Sequence, residues 1–121
     1  MQRPALGSIL LSSTDPERLR TWYATALDPS ENTEVNGYRV LRFGGFYLFI
    51  DGRGDIADTN PEPGRVILNF DVPDARAVVA RMEQAGTQWL AGLEDRDGSL
   101  LATAIDPDGN YVQIIQLNQP H

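Results

Sequence analysis

The sequence predicts an α+β chain of two similar halves, each running strand, helix, then two or three strands. Three observations carry this. Two helix starts, Asp15-Pro16 and Pro73-Asp74, each follow an apolar strand. Their spacing repeats, since Ser8 precedes Asp15 by seven residues and Ile67 precedes Asp74 by seven, with an offset of 59 between the halves. A tight hairpin around Asp106-Pro107-Asp108-Gly109 closes the second half.

Taken in order, Ala5–Ser13 reads as an apolar strand. Asp15 then caps a helix with Pro16 in its first position and Glu17 at the positive end of its dipole. Leu19, Trp22, Tyr23, Ala26 and Leu27 recur at helical spacing and form its buried stripe. Pro29 ends the helix by biasing Asp28 away from helical geometry. A meander follows, with Asn36-Gly37 as a tight turn and strands over Tyr38–Phe43 and Phe46–Ile50, hinged at Gly44-Gly45. The polar connection spans 52–64, dividing a first module of about 5–51 from a second of about 65–118 within one domain. The second module opens with a strand at Arg65–Val72. Its helix buries Val78, Val79 and Met82 and stops at Gly86. Short strands are expected at Thr87–Leu90 and Leu93–Arg96, then a turn at Asp97-Gly98. The final hairpin pairs Leu100–Ile105 with Tyr111–Leu117. Pro107 suits the second turn position, and Gly109 the left-handed one that follows.

Composition narrows the chemistry. The 121 residues carry ten basic and seventeen acidic side chains, a net charge of −7. Such a surface repels phosphate backbones, so nucleic acid is not an expected partner. Every basic residue is arginine, which reads as compositional bias. No cysteine is present, which removes disulfides, thiolate metal sites and cysteine nucleophiles together. The one histidine is His121, so a Ser-His-Asp triad and an imidazole metal site are both excluded. No run approaches the ~20 apolar residues of a membrane span, and no charged-then-apolar signal opens the sequence. A cytoplasmic protein without membrane partners is expected.

Three segments resemble the vicinal oxygen chelate superfamily of glyoxalases, bleomycin-resistance proteins, fosfomycin-resistance enzymes and extradiol dioxygenases. They are Ser8–Tyr23 (SILLSSTDPERLRTWY), Ile67–Gly86 (ILNFDVPDARAVVARMEQAG) and Ala104–Gln116 (AIDPDGNYVQIIQ). Asp15 followed seven residues later by Trp22-Tyr23 is similar to the family's first helix, and DPDGN is its most recognisable hairpin. The resemblance implies two βαβββ modules in a curled mixed sheet around a cavity, with helices outside. It implies a homodimer in short members, each cavity completed by modules from two chains. It also implies a divalent metal held by a His on the first strand of a module and a Glu on its last strands. In this chain those positions fall on Ser8, Ile67 and Gln113, with Tyr47 or Phe49 on the last strand of module one. A hydroxyl, an aliphatic, an amide and an aromatic supply neither the charge nor the basicity that offsets a divalent ion's lost hydration. No metal and no cofactor are therefore expected. No spacing suggests a rearranged site of Asp71 with Asp51 or Glu94.

Counted from the same positions, strand alternation turns Ser8, Leu10 and Ser12 to the cavity, with Ile67, Asn69 and Asp71 and with Tyr111, Gln113 and Ile115. Ile9, Leu11, Leu68, Phe70, Val72, Val112 and Ile114 pack under the helices. Apolar walls with a few polar groups are the usual lining of a small-molecule pocket, to which Tyr47 and Phe49 add a stacking surface. The expected ligand-binding set is Ser8, Leu10, Tyr47, Phe49, Ile67, Asn69, Asp71, Tyr111 and Gln113. Aromatics on strands such as Tyr38, Tyr47, Phe49 and Tyr111 are more often packing residues than ligand platforms. Asp71, the one inward acid on this count, is a candidate base or cation partner if buried. Trp89 suits core or interface, and Glu94–Asp97 a solvated turn. Arg39 and Arg42 fall on opposite strand faces, which argues against a joint anion clamp.

Three functions compete. The favoured one is a metal-free protein of the bleomycin-resistance type, which sequesters an aromatic or cationic small molecule without chemistry. An enzyme of the superfamily (a glyoxalase-like lyase, an isomerase or a dioxygenase) would need a non-standard or metal-free site built on Asp71, Tyr47 or Tyr111. An interaction or sensor module has no marked partner site.

Overall fold

Asp15 and Asp74, 59 residues apart, cap both helices in the same way. Asp15 accepts a hydrogen bond from the Arg18 N–H (3.2 Å), and Asp74 from the Ala77 N–H (3.1 Å). A computed structural model describes residues 2–118, so His121 lies outside the described residues. Its elements run β1 (Ser8–Ser13), α1 (Pro16–Leu27), β2 (Glu31–Val35), β3 (Tyr38–Phe43), β4 (Phe46–Gly52), β5 (Leu68–Asp71), α2 (Ala75–Gln84), β6 (Gln88–Arg96), β7 (Ser99–Ile105) and β8 (Tyr111–Gln116). This is the α+β pattern expected, two βαβββ modules in sequence. The sheets have the matching orders β1-β4-β3-β2 and β5-β8-β7-β6, with β1/β4 and β5/β8 parallel and the other pairs antiparallel.

Four local expectations change. The sequence carries no apolar pattern for β2, which is polar and exposed throughout. It is a strand because Asn36 (φ 51°) and Gly37 (φ 84°) fold it back onto β3 in the two-residue turn that matches strand twist. The two short strands expected after α2 are one strand, β6, interrupted by register shifts at Trp89/Ala91 and Ala91/Glu94. β5 is shorter than Arg65–Val72, because its pairing with β8 begins at Leu68 opposite Val112. Ile67 therefore lies just outside it. Finally, the two sheets share no hydrogen bonds, so a cavity enclosed by one curled sheet is not formed within the chain. One face of each sheet packs on the helices, while the other carries exposed Leu10 and Tyr38 in the first sheet and Leu90 in the second.

The core lies at the junction of the modules. Leu19, Trp22, Tyr23 and Ala26 of α1 meet Leu48 and Ile50 of β4, Met82 of α2, and Val112 and Ile114 of β8. An aromatic run crosses from one module to the other. Trp22 meets Tyr23 edge-on at 4.8 Å, Tyr23 lies 6.5 Å from Phe70, and Phe70 meets Phe43 edge-on at 5.0 Å. Polar ties follow the same path. Trp22 Nε1 donates to Thr87 Oγ1 (2.8 Å), and the Tyr23 hydroxyl donates to Asp106 Oδ2 (2.7 Å).

Burial pushes the Asp106 carboxyl above the usual carboxylate range, against the opposing pull of hydrogen bonds from Tyr23, Asn110 and Asp108. Burial, and then the Asp106 charge, raise the Tyr23 phenol well above its ordinary value. A tyrosine that holds its proton more tightly when folded contributes stability that is complete below about pH 10 and lost as pH rises further. Tyr23→Phe should cost about 1.5–3 kcal/mol at neutral pH, the range for a hydrogen bond to a charged group. In urea denaturation above about pH 10, the variant should lose stability less steeply than the natural protein, by up to about 1.4 kcal/mol per pH unit. Parallel slopes would show that the phenol ionises freely in the fold.

Candidate functional site

Pleating gives the open face of the first sheet a defined order. Ser8, Leu10 and Ser12 of β1 stand opposite Tyr47, Phe49 and Asp51 of β4, and Val40 and Arg42 of β3 stand opposite Phe49 and Tyr47. The Tyr47 and Phe49 rings stack 6.3 Å apart at 24°, and Tyr38 meets Phe49 edge-on at 6.3 Å. This makes a continuous aromatic wall. At one end Arg42 Cζ lies 5.7 Å over the Tyr47 ring. Its guanidinium is oriented by the Gly44 carbonyl (2.9 Å) and by Glu31 (3.2 Å). At the other end Ser12 Oγ donates to Asp51 Oδ1 at 2.6 Å. Arg39 points to the opposite face, where it binds Glu17 of α1 (2.6 Å).

On the second sheet Asn69 stands opposite Gln113, and Asp71 opposite Ile115. Gln113 also faces Thr103, and Ile105 faces Tyr111. Asn69 and Asp71 are exposed, whereas Tyr111 and Gln113 are half-buried. Asp71 therefore does not become a buried base within the chain. Nor is it the one acid on these faces, since Asp51 shares the face of Tyr47 and Phe49. The expected strand stopped at Ile50, one residue short of Asp51, and so missed it.

Between the modules runs a largely apolar groove of about 1030 Å³, lined by Ile9, Phe43, Leu68 and Phe70 among others. Of the nine expected ligand-binding residues, Ser8, Ile67, Asn69 and Asp71 reach this groove. The rest divide between the two sheet faces, with Leu10, Tyr47 and Phe49 on the first and Tyr111 and Gln113 on the second. One chain thus presents two patches joined by a groove. Ser12, Arg42 and Asp51 belong to the first patch and were not among the nine.

The register settles which residues correspond between modules. Leu10 stands opposite Phe49, and Asn69, 59 residues after Leu10, stands opposite Gln113. Phe49 is thus the counterpart of Gln113. The positions where relatives would hold a divalent ion carry Ser8, Phe49, Ile67 and Gln113, and this donor set does not fit one. Among the described residues, no three Asp, Glu, His or Cys side chains converge elsewhere in a way that could hold a metal.

Paired βαβββ modules with matching strand orders and open faces are the architecture of the vicinal oxygen chelate superfamily. More closely, the chain belongs to the glyoxalase-like domain family, whose model matches residues 8–115. No curated protein matches it. Among solved structures, the fold is similar to a glyoxalase/bleomycin resistance protein from Albidiferax ferrireducens, with 18% identity, 93% of this chain and 98% of that one covered, and a TM-score of 0.76. It is also similar to a glyoxalase/bleomycin resistance protein/dioxygenase family enzyme from Burkholderia phytofirmans, with 14% identity, 95% and 100% coverage, and a TM-score of 0.77. A Salmonella typhimurium virulence protein reaches 24% identity over 98% of this chain and 100% of that one, with a TM-score of 0.74.

The donor chemistry makes a direct prediction. After equilibrium dialysis against zinc, nickel or manganese and removal of free ion, elemental analysis should find far less than one metal per chain. A stoichiometric ion that is lost in a Gln113→Ala variant would contradict it.

Proposed function

We propose that this protein is a metal-free small-molecule binder of the glyoxalase/bleomycin-resistance type. It sequesters a planar aromatic compound, cationic in part, as a cytoplasmic homodimer. The observation that carries this is the stacked Tyr47–Phe49 wall, which occupies the face where a chelating carboxylate would otherwise stand. A flat ring laid on that wall gains dispersion and quadrupole contact without any rearrangement of charge. Ser8 and Arg42 offer hydrogen bonds at its margins. The net charge of −7 draws cations toward the protein at long range.

The strand edges support the dimer. β2 closes the outer edge of its sheet with exposed Glu31 and Glu34, and β6 is bulged, both of which discourage further pairing. β1 carries neither a charged side chain nor a bulge, and the surface beside β1 and β5 exposes Leu10 and Ile67. Apolar edges of this kind are stable when another chain covers them.

Titration calorimetry against a library of aromatic and cationic natural products, without added metal, should find a saturable ligand. Phe49→Ala should weaken it by about tenfold, the equivalent of about 1.4 kcal/mol of lost stacking. Uniform silence across the library would reject the reading. In sedimentation at micromolar concentration the natural protein should run as a dimer. Leu10→Asp, a change on an exposed strand face, should shift it toward monomer without altering the far-ultraviolet circular dichroism. A natural protein that sediments as a monomer would remove the dimer.

A further inference from the structure

The open face of the first sheet has an electrical direction that its aromatic wall lacks. Arg42 marks one end, over Tyr47. Asp51 marks the other, two residues beyond Phe49 on the same face of β4. At ~3.4 Å per strand residue, the carboxylate stands about 7 Å along the strand from the Phe49 backbone and about 14 Å from that of Tyr47. Ser12 holds Asp51 Oδ1 at 2.6 Å; among the described residues, Oδ2 has no hydrogen-bond partner. The nearest cation in sequence, Arg53, directs Nε and Nη2 to Asp55 (2.8 and 2.7 Å) rather than to Asp51. The result is a half-buried carboxylate with its orientation set, one oxygen free, and a stacking surface beside it.

Resting on the binding reading above, we propose that Asp51 is the specificity-determining anchor for an ammonium or amidinium group carried by the aromatic ligand. The ring system lies over Phe49, beside the Tyr47 ring that Arg42 covers, and an arm of two or three bonds brings the cation to Asp51 Oδ2. Arg42 repels that cation from the opposite end, so the ligand has one orientation. Asp71 offers no equivalent, because it is exposed and, among the described residues, no side chain braces it as Ser12 braces Asp51.

Three fluorescent probes share one ring system and differ only in the arm: dansylamide is uncharged, N-dansyl-ethylenediamine ends in an ammonium, and dansylglycine ends in a carboxylate. The natural protein should bind the ammonium probe about tenfold more tightly than dansylamide, and dansylglycine least well, a tenfold step being about 1.4 kcal/mol. Asp51→Asn should remove the ammonium preference and leave dansylamide within about twofold, while Phe49→Ala weakens all three. Added salt should shrink the ammonium advantage in the natural protein without changing dansylamide, a measurement that needs no variant. An ammonium-to-neutral ratio unchanged by Asp51→Asn overturns the role of Asp51, whatever the salt dependence, and leaves the binding function standing. Failure of all three probes to bind also overturns it, while the function is judged separately by the natural-product calorimetry.

Discussion

The buried carboxylate of Asp106 is the point on which the rest of the structure turns. It accepts four hydrogen bonds. Asp108 and Asn110 backbone N–H groups bind Oδ1 (2.9 Å each), and Asn110 Nδ2 and the Tyr23 hydroxyl bind Oδ2 (2.9 and 2.7 Å). A buried carboxylate is tolerable only when its lone pairs are filled in this way. Three of the four donors come from its own turn, so the loop between β7 and β8 is templated before it meets anything else. The fourth comes from α1 in the other module. The same loop is held from outside by Arg18 on Asp108 (3.2 Å) and by the Asn60 side chain on Asn110 (2.9 Å). One short turn therefore secures the first helix, the inter-module connection and the last hairpin.

That arrangement decides where ligand binding can occur. With α1 fastened to the second module, the helices and the aromatic run from Trp22 to Phe43 cover much of the helix-side faces. What remains open is the groove lined by Ile9, Phe43, Leu68 and Phe70 and the opposite faces of the two sheets. A site on these faces is built from strand side chains at fixed register, which limits its geometric freedom to rotamers. Tyr47 and Phe49 lie two residues apart on one strand, so their stacking is imposed by the pleat and needs no ligand to form it.

Much of this was legible in the chain of residues, and what was legible is mostly scaffold. Asp15 and Asp74 announced their helices because an acceptor three residues before a free N–H acts locally. DPDGN announced its hairpin because its hydrogen bonds are internal. The alternation that sends Leu48 and Ile50 inward and Tyr47 and Phe49 outward could be read for the same reason. Other features depend on partners distant in sequence and left little local mark. β2 has no apolar pattern of its own, and only the Asn36-Gly37 turn that returns it to β3 marks it. The bulges in β6 hid one strand as two. Asp51 gains its orientation from Ser12, 39 residues away, and the division of the nine residues into two patches follows from the packing of whole modules.

The separation between scaffold and site has a physical root. A chelated ion is held by a few short, directional bonds, so the loss of a single ligand is felt at once and the donor set is unforgiving. An aromatic wall works by contact area, and each ring contributes a modest share over a broad range of poses. In the proposed metal-free reading, Phe49 and Ser8 exchange the first regime for the second, while Asp106, Tyr23 and the helix caps keep the scaffold unchanged. Area alone discriminates poorly among flat molecules. In the binding function proposed above, selectivity comes from fixed charges at the margins of the wall, Arg42 and Asp51.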